Sequence, residues 1–188
     1  MTTRTPNSDH LETVLAMIPE HERSSLRLGM ELVRLGRISE VLLEQAAEEF
    51  GLNSSEATTL SALLFSGPLQ EMLPSEIQRR VAHTSAGVTG ILRRLETKQL
   101  IERRPHPSDG RCLLVRLTPA GARLIRAFLQ RRATAYAAHF AEMNAEVVAE
   151  LIDSIGAVLA NLERAAGFSA AFKHPENREH LSERAHLP

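Results

Sequence analysis

The chain has 188 residues, of which 43% are hydrophobic and 24% charged, with a formal net charge of −1. This length fits one domain with a small appendage, the single cysteine excludes an internal disulfide framework, and no apolar run approaches the about 18 residues of a membrane span. Aromatic residues make up only 4%, with no Trp, which argues against a protein that stacks single-stranded nucleic acid on aromatic rings.

Two helices are predicted in the N-terminal part of the chain. The first ten residues, MTTRTPNSDH, lack the apolar core of a signal peptide, so we expect a cytoplasmic protein in a reducing compartment. Residues 1–8 are expected to be disordered, and the segment 9–18 has the apolar spacing of a short helix, which Pro19 would end. A long helix is predicted over about 24–50, with Gly51 in the position after it that favours positive φ.

A capping box is predicted to open the next helix. Asn53 can accept a hydrogen bond from the first turn, and Glu56, three residues later, can reach back to the Asn53 N–H. We expect this helix to run to about Ser66, where Gly67 and Pro68 interrupt the chain.

Two short helices joined by a three-residue turn follow. The first, Pro74–Val81, has proline at its first position, but its cap residue Leu73 offers no side-chain oxygen to the free N–H groups. The second is predicted over about 85–98. Its core face consists of Val88, Ile91, Leu92 and Leu95. This pattern indicates a helix-turn-helix.

A basic hairpin comes directly after the second of these helices. Its turn, Pro107-Ser108-Asp109-Gly110, suits a chain reversal, because Pro fixes φ, Asp bonds its own backbone and Gly tolerates positive φ. The arginines of its strands are Arg103, Arg104, Arg111 and Arg116. Such a hairpin after a helix is the plan of a winged helix, in which the wing brings arginines to phosphates beside a helix in the major groove.

Positive charge is concentrated in the middle of the chain. Eleven basic and four acidic residues lie between Glu76 and Arg126, a net charge of +7, so the remainder carries −8. This asymmetry is typical of a polyanion site on a neutral scaffold. A solvated charged surface is the alternative that the counts leave open.

The C-terminal part is predicted to contain two more helices. One begins at Thr118 and Pro119 and runs to about Met143, and Asn144 caps the last, which Gly167 ends. The first long helix and these two are more apolar than a compact winged helix needs, so we expect them to pair with a second copy of the chain; packing within one chain is the alternative. The predicted regions are a disordered N-terminus (1–8), N-terminal dimerisation helices (9–52), the DNA-binding winged helix-turn-helix (53–118), C-terminal dimerisation helices (119–166) and a polar tail (167–188).

The segment PSEIQRRVAHTSAGVTGILRRLETKQLIERRPHPSDGRCLLVRLTPAG, residues 74–121, closely resembles the winged-helix core of the MarR (multiple antibiotic resistance regulator) family. Its most specific part is Asp109-Gly110-Arg111 followed by Leu117-Thr118-Pro119-Ala120-Gly121, the family's D-x-R…L-T-x-x-G pattern, and the resemblance covers about 24–165. It implies a mostly α fold with a small β-hairpin wing. It also implies a homodimeric transcription regulator, usually a repressor, whose affinity for a palindromic operator in double-stranded DNA is altered by a small molecule or an oxidant.

The resemblance assigns DNA contacts to individual residues. Those expected to face the major groove are Ser85, Ala86, Gly87, Thr89, Gly90 and Arg93, with Arg94 at a phosphate. Those of the wing are Arg103, Arg104, His106, Asp109 and Arg111. Asp109 would orient Arg111, since a short carboxylate can hold a guanidinium in one rotamer and a narrow minor groove attracts it.

Two features of the second short helix depart from an ordinary one. Its two glycines, Gly87 and Gly90, each cost about 1 kcal/mol relative to Ala, which favours either close backbone approach to DNA or a tight contact with the preceding helix. The glycine usual in the family after this helix is Gln99 here, so the C-cap must be made without a glycine.

The effector is expected to be aromatic or phenolic. The chain is also similar to the family's urate-responsive subgroup, in its extra N-terminal helix and in Gly51-Leu52-Asn53 and Thr84-Ser85-Ala86-Gly87. That subgroup has a Trp near the N-terminus, an Asp in the second core helix and an Arg in the recognition helix, whereas this chain has no Trp and carries Thr58 and Ile91 at the other two positions. A less polar effector than urate is therefore expected. The candidate contacts are Met30, Arg34, Thr58 and Arg103.

Other chemistry is not expected. Cys112 either faces inward from a strand or is a redox-sensitive thiol beside Arg111, and the eight histidines have no metal-ligand spacing, so we expect neither a metal nor a cofactor. No catalytic constellation is present, so the protein is not expected to be an enzyme. The alternative function is a protein-interaction module that kept the winged helix but lost sequence-specific DNA binding, which Leu73, Gly90 and Ile91 would permit.

Overall fold

The computed structural model describes Thr13 and residues 16–81, 85–107 and 112–165, without the side chain of Ser85. Three predicted features lie outside these ranges: most of the helix over 9–18, the wing residues Asp109 and Arg111, and the tail from 167. Within them, in chain order, are α1 (Glu20–Glu48), α2 (Ser54–Leu64), β1 (Glu71–Met72), α3 (Pro74–Val81), α4 (Ser85–Thr97), β2 (Ile101–Pro105), β3 (Leu113–Leu117), α5 (Pro119–His139) and α6 (Ala145–Ala165).

The predicted hairpin is confirmed, and it belongs to a three-stranded antiparallel sheet of order β1-β3-β2. The β2–β3 register runs from Ile101 opposite Leu117 to Pro105 opposite Leu113. β1 was not predicted, because a strand of two residues shows no alternation; it pairs Met72 with Val115 and Glu71 with Arg116. The mostly helical winged-helix fold predicted from the sequence is therefore confirmed.

Two long helices differ in their ends from the predictions. The prediction of a start near Ser24 was wrong for α1, which begins at Glu20, where acidic residues in the first turn favour the helix dipole. α5 ends at His139 rather than near Met143, since Phe140 leaves the helical conformation with φ −106° and ψ 11°. The predicted cap of α6 is confirmed, with Asn144 Oδ1 accepting from the Val147 N–H at 2.8 Å.

The core lies among α2, α3, α4, α5 and the sheet. The predicted core face of α4 is confirmed, since each of its four side chains is buried. The largest fully buried apolar side chains are Leu60, Leu63, Ile77, Leu92, Leu95, Val115, Ile125 and Phe128. Burying side chains of this size stabilises the fold by about 1.5–3 kcal/mol each.

The chain divides into two compact units, one ending at Gln45 and one beginning at Ala46. α1 buries only Ala47, and α6 buries no residue of Ala145–Ala165. The large apolar side chains that α1 exposes are Leu26, Leu28, Met30, Val33, Leu35, Ile38 and Val41. Those that α6 exposes are Val147, Leu151, Ile152, Ile155, Leu159 and Leu162. The functional regions predicted from the sequence, with boundaries at 53 and 119, stay a prediction.

Two helices end in the same Schellman arrangement. After α1, the Leu52 N–H donates to Ala47 O and the Gly51 N–H to Glu48 O, with Gly51 at φ +67°. After α4, the equivalent donors are Leu100, bonded to Leu95 O, and Gln99, which adopts φ +57°. The cap of α4 is therefore made with a non-glycine residue in the left-handed region.

The start of α5 is joined directly to the end of α4. Thr118 Oγ1 accepts from the Gly121 N–H at 3.0 Å and donates to Gln99 O at 2.8 Å. The Thr118 N–H donates to Leu100 O at 3.1 Å. A Cβ on Gly121 would lie 2.0 Å from that same Leu100 oxygen. The L-T-x-x-G pattern is thus a structural joint that only glycine allows at its last position.

We predict that Gln99→Gly stabilises the protein by about 0.5–1 kcal/mol. Relief of the left-handed strain, about 1–2 kcal/mol, exceeds the added flexibility of the unfolded chain. The mirror control is Gly51→Ala, whose Cβ would meet no atom of the described residues within 4 Å beyond its chain neighbours but would still have positive φ, and it should lose about 1 kcal/mol. Urea denaturation measures both, and a destabilised Gln99→Gly variant would contradict the prediction.

We predict that Gly121→Ala destabilises the protein by about 3 kcal/mol, because its Cβ collides with a backbone carbonyl that cannot move aside. Ala120→Ser, at the exposed neighbouring position, should change the stability by less than about 0.5 kcal/mol. Thermal denaturation followed by circular dichroism compares the two variants, and equal Tm values would rule out the joint.

Candidate nucleic-acid interface

α4 presents one face to the core and the opposite face to solvent. Each residue turns about 100° around a helix axis, so Ala86, Thr89 and Arg93 share a face, opposite Val88 and Leu92. All three are exposed, whereas the core side is buried. We call Ala86, Thr89, Gly90 and Arg93 the outward face. It contains four of the residues expected to face the major groove.

Gly90 has room around it. A Cβ there would meet, among the described residues, only Nη1 of Arg94 at 3.7 Å, an ordinary contact. The alternative of a tight contact with the preceding helix is therefore wrong for Gly90. Gly87 is half-buried in the first turn of the helix.

Two cations at the end of α4 lie off the outward face and contact a buried carboxylate on α2: Arg94 in the last turn of the helix and Lys98 directly after it. Glu56 is 1% exposed; its Oε1 accepts from Arg94 Nε at 3.0 Å and its Oε2 from Lys98 Nζ at 2.6 Å. The capping box is also confirmed, because the Asn53 N–H donates to Glu56 Oε2 at 3.2 Å and Asn53 Oδ1 accepts from the Glu56 N–H at 2.9 Å. We call Glu56, Arg94 and Lys98 the Glu56 cluster. Spacing predicted the cap but not the long-range partners.

The surroundings of Glu56 favour its charged form. Burial raises the pKa of Glu56, but hydrogen bonds from Lys98, Arg94 and Asn53, together with the charge of Lys98, outweigh burial and lower the pKa below its ordinary value. Arg94, expected at a phosphate, is thus engaged inside the protein, although 48% of its side chain is exposed.

The described arginines of the wing also have acidic neighbours. Arg103 Nε lies 3.3 Å from Glu96 Oε2, and Arg104 Nε lies 2.7 Å from Glu102 Oε1. Both pairs are partly exposed, so they are weak in water and can open when a stronger anion approaches. Arg116 stands opposite Glu71 and Glu102 in the strand registers, away from the wing tip.

Three other cations of this region form no ion pair with a described residue. They are Arg79 and Arg80, in the last turn of α3, and Arg93 on the outward face. Arg79 and Arg80 belong to the positive segment of the sequence, where no motif predicted a role for them. Their position at the end of the helix before the turn was the available signal.

Just beyond the paired strands, the His106 N–H donates a backbone hydrogen bond to Cys112 O at 2.9 Å. Asp109 and Arg111 lie outside the described residues, so their expected pairing stays a prediction. Cys112 is half-buried just before β3, and its redox role is likewise untested.

The candidate effector contacts lie on three elements. Met30 and Arg34 are exposed one turn apart on α1, where Arg34 Nη1 is 4.0 Å from Glu31 Oε2. Thr58 is half-buried on α2, and Arg103 pairs with Glu96. They belong to different compact units, and the pocket stays a prediction.

Metal and membrane chemistry find no support in the described part of the chain. No group of three His, Cys, Asp or Glu there could hold a metal ion. None of the described helices combines the length and the hydropathy needed to cross a membrane.

Known proteins share this architecture. Residues 50–111 match the family model described as MarR family. The HTH-type transcriptional repressor NicR of Pseudomonas putida is 33% identical over 88 residues, which are 47% of this chain and 54% of that protein. The uncharacterized HTH-type transcriptional regulator YdgJ of Bacillus subtilis is 31% identical over 112 residues, 60% of this chain and 66% of that protein. The chain thus matches about half to two thirds of the length of these relatives.

Solved structures extend the likeness over most of the chain. A MarR family transcriptional regulator from Streptomyces coelicolor superposes with a TM-score of 0.60 at 26% identity, covering 77% of this chain and 96% of that one. A mutant MarR from E. coli complexed with operator DNA gives a TM-score of 0.62 at 22% identity, covering 75% and 99%. The second likeness concerns the fold alone.

We predict that the contribution of Glu56 to stability disappears in acid. Because its folded-state pKa is lowered, the contribution is present above the ordinary Glu pKa and is lost as the pH falls through the folded-state value. Glu56→Gln should cost about 2 kcal/mol at pH 7, since its partners are half exposed, and progressively less below about pH 4.5. Urea denaturation from pH 7 to 3 checks this; a constant difference between the curves is the contrary result.

Proposed function

We propose that the chain is a member of the MarR family, to which its sequence and fold are similar, and that it is a homodimeric transcription regulator that binds a palindromic operator in double-stranded DNA. We propose further that it acts as a repressor, located in the cytoplasm with its DNA, and that a small-molecule effector releases it. Its matched relatives are transcriptional regulators, not enzymes.

The observation that carries the proposal is the outward face of α4. The exposed side of α4 presents the methyl of Ala86, the hydroxyl of Thr89 and the guanidinium of Arg93, with Gly90 between the last two. These are groups that read base edges: a guanidinium binds guanine through two hydrogen bonds, and a methyl or hydroxyl contacts thymine or other edges. Gly90 supports close approach, since among the described residues only the Arg94 tip lies within 4 Å of the position that a Cβ would take there.

The phosphate contacts follow from the distribution of unpaired charge. Arg79 and Arg80 end the helix that precedes α4 and have no ion-pair partner among the described residues. We propose that they bind phosphates beside the groove, in addition to Arg103, Arg104 and His106 of the wing. From the family pattern we propose that Arg111, oriented by Asp109, enters the minor groove, and that Ser85 and Gly87 line the major groove.

The dimer follows from the exposed apolar surfaces of α1 and α6. α1 exposes seven large apolar side chains and α6 exposes six, and pairing with a second copy of the chain would bury them. A two-fold protein then matches a palindrome whose half-sites are about 34–36 Å apart.

The effector is proposed to be aromatic or phenolic, with Met30, Arg34, Thr58 and Arg103 as candidate contacts.

The alternative function, a protein-interaction module, loses part of its basis. Ile91 is 4% exposed, so it belongs to the core and takes nothing from the outward face. Leu73 lacks a capping oxygen, but its N–H donates to Glu76 Oε2 at 2.8 Å, which restores half of a capping box. Of the three residues on which the alternative rested, only Gly90 still supports it, because a glycine has no side chain with which to contact a base.

We predict that Arg93→Ala weakens binding to a selected operator by about 1–3 kcal/mol and relaxes its sequence preference. Operators would be selected from a pool of genomic duplexes, and affinity would be measured by gel shift at several salt concentrations. Arg131→Ala is the matched control, because it removes the same charge from α5, where Arg131 pairs with Glu49 at 3.0 Å.

The same titration tests the other parts of the proposal. Wild-type binding should weaken steeply with salt, Arg111→Ala should weaken it severely, and small aromatic acids or phenols should release the duplex. Absence of duplex binding by the wild type at low salt would sink the proposed function and favour the interaction module.

A further inference from the structure

The Glu56 cluster joins three parts of the second unit at one carboxylate. Arg94 is in the last turn of α4 and Lys98 follows that helix directly, Glu56 comes from the first turn of α2, and Lys98 Nζ also donates to Gly51 O, at the cap of α1, at 2.8 Å. The end of α1, the start of α2 and the second half of α4 therefore meet within hydrogen-bonding distance. None of these contacts involves the outward face.

We propose that Glu56 is a positioning residue for DNA reading: through Arg94 and Lys98 it sets the rotation of α4 against α2 and the cap of α1, and operator discrimination depends on it. This inference rests on the proposed function, in which the outward face of α4 reads base edges.

The spacing of the two cations explains why they fix rotation. Arg94 and Lys98 are four residues apart, so they lie on one flank at the end of α4, about 100° and about 140° around the axis from Arg93. A single contact would leave the helix free to turn, whereas two contacts along a flank hold it at two heights. Each contact joins a charged donor to a charged acceptor, which is the stronger class of hydrogen bond. The carboxylate itself is 1% exposed and carries the capping box, so it cannot follow a moving partner.

Base reading is more sensitive to this rotation than phosphate binding is. A bidentate pair between Arg93 and a guanine needs a defined distance and direction. Phosphate contacts from long cationic side chains tolerate a shift, because they position the protein without reading sequence. Loss of the cluster should therefore lower the ratio of operator affinity to non-specific affinity.

The charges of the Glu56 cluster lead to the same expectation of a lower affinity ratio. Glu56 carries one negative charge against the two positive charges of its partners. Without it, Arg94 and Lys98, which are 48% and 38% exposed, become available to phosphates. Non-specific binding should then be retained or strengthened, and its salt dependence should steepen by about 0.9 for each cation that finds a phosphate.

Two substitutions separate this role from simple stability. Glu56→Gln keeps the side-chain length and the oxygen that serves the capping box, since Gln also fills that position, but it removes the charge that holds Arg94 and Lys98. Asn53→Ala is the matched control, because it removes the cap oxygen at 2.9 Å from the Glu56 N–H and leaves both ion pairs in place. Lys98→Met is a second variant, which keeps Glu56, its cap and Arg94.

Gel shifts with an operator duplex and a scrambled duplex measure the ratio of the two affinities. We expect Glu56→Gln to lower the ratio by about tenfold, Lys98→Met to lower it less, and Asn53→Ala to lower the Tm while leaving the ratio unchanged. The inference is overturned if both affinities fall together in Glu56→Gln, or if Asn53→Ala changes the ratio as much.

Hydrogen exchange in the free protein tests the inference without DNA. The amides of Gln99 and Leu100, which bond to Glu96 O and Leu95 O, should exchange faster in Glu56→Gln and at the wild-type rate in Asn53→Ala. Unchanged exchange in Glu56→Gln would overturn the inference even if the wild type binds no duplex. A wild type that binds no duplex, with faster exchange in Glu56→Gln, would refute only the proposed function.

Discussion

A carboxylate enclosed by protein must be surrounded by donors, because an ionised group without them is too costly to bury. Glu56 meets this condition with a backbone N–H from its own helix turn and two cations at the end of α4. Removing any one donor leaves the charge less compensated, so the start of α2 and the end of α4, which supply the donors, are held together. The apolar core permits many small adjustments between helices, whereas the donors of this carboxylate permit few.

The same pairing divides the positive charge of the chain into two kinds. Arg94 and Lys98 are held by Glu56, and Arg103 and Arg104 have carboxylates beside them. Arg79, Arg80 and Arg93 have no such partner among the described residues, and they lie around the helix-turn-helix. A count of charges along the sequence finds a positive segment, but it does not separate cations that organise the protein from those available to another molecule.

Local patterns in the sequence predicted the fold well, because its elements depend on neighbouring residues. Four local predictions are confirmed: the helix that begins at Pro74, the capping box of Asn53 and Glu56, the cap at Asn144 and the pairing of the two hairpin strands. Features that depend on residues far apart in the chain could not be predicted from the sequence. β1 exists only because β3 offers it an edge, and the partners of Glu56 are 38 and 42 residues away. The outward face followed from helical periodicity, whereas the effector contacts combine residues of two units and no local pattern relates them.

The joint between Thr118, Gly121 and the end of α4 bears on how this chain could change over time. Its hydrogen bonds link Gln99, Leu100 and the first turn of α5, and the closest approach leaves no volume for a side chain at Gly121. None of these groups belongs to the face that would meet a base pair. The motif that carries much of the resemblance to the MarR family therefore does not determine which DNA sequence the proposed regulator would bind. Under the proposed function, substitutions at Ala86, Thr89 and Arg93 would change the DNA sequence that is bound and leave the joint intact. Two proteins that share this motif could therefore regulate different genes.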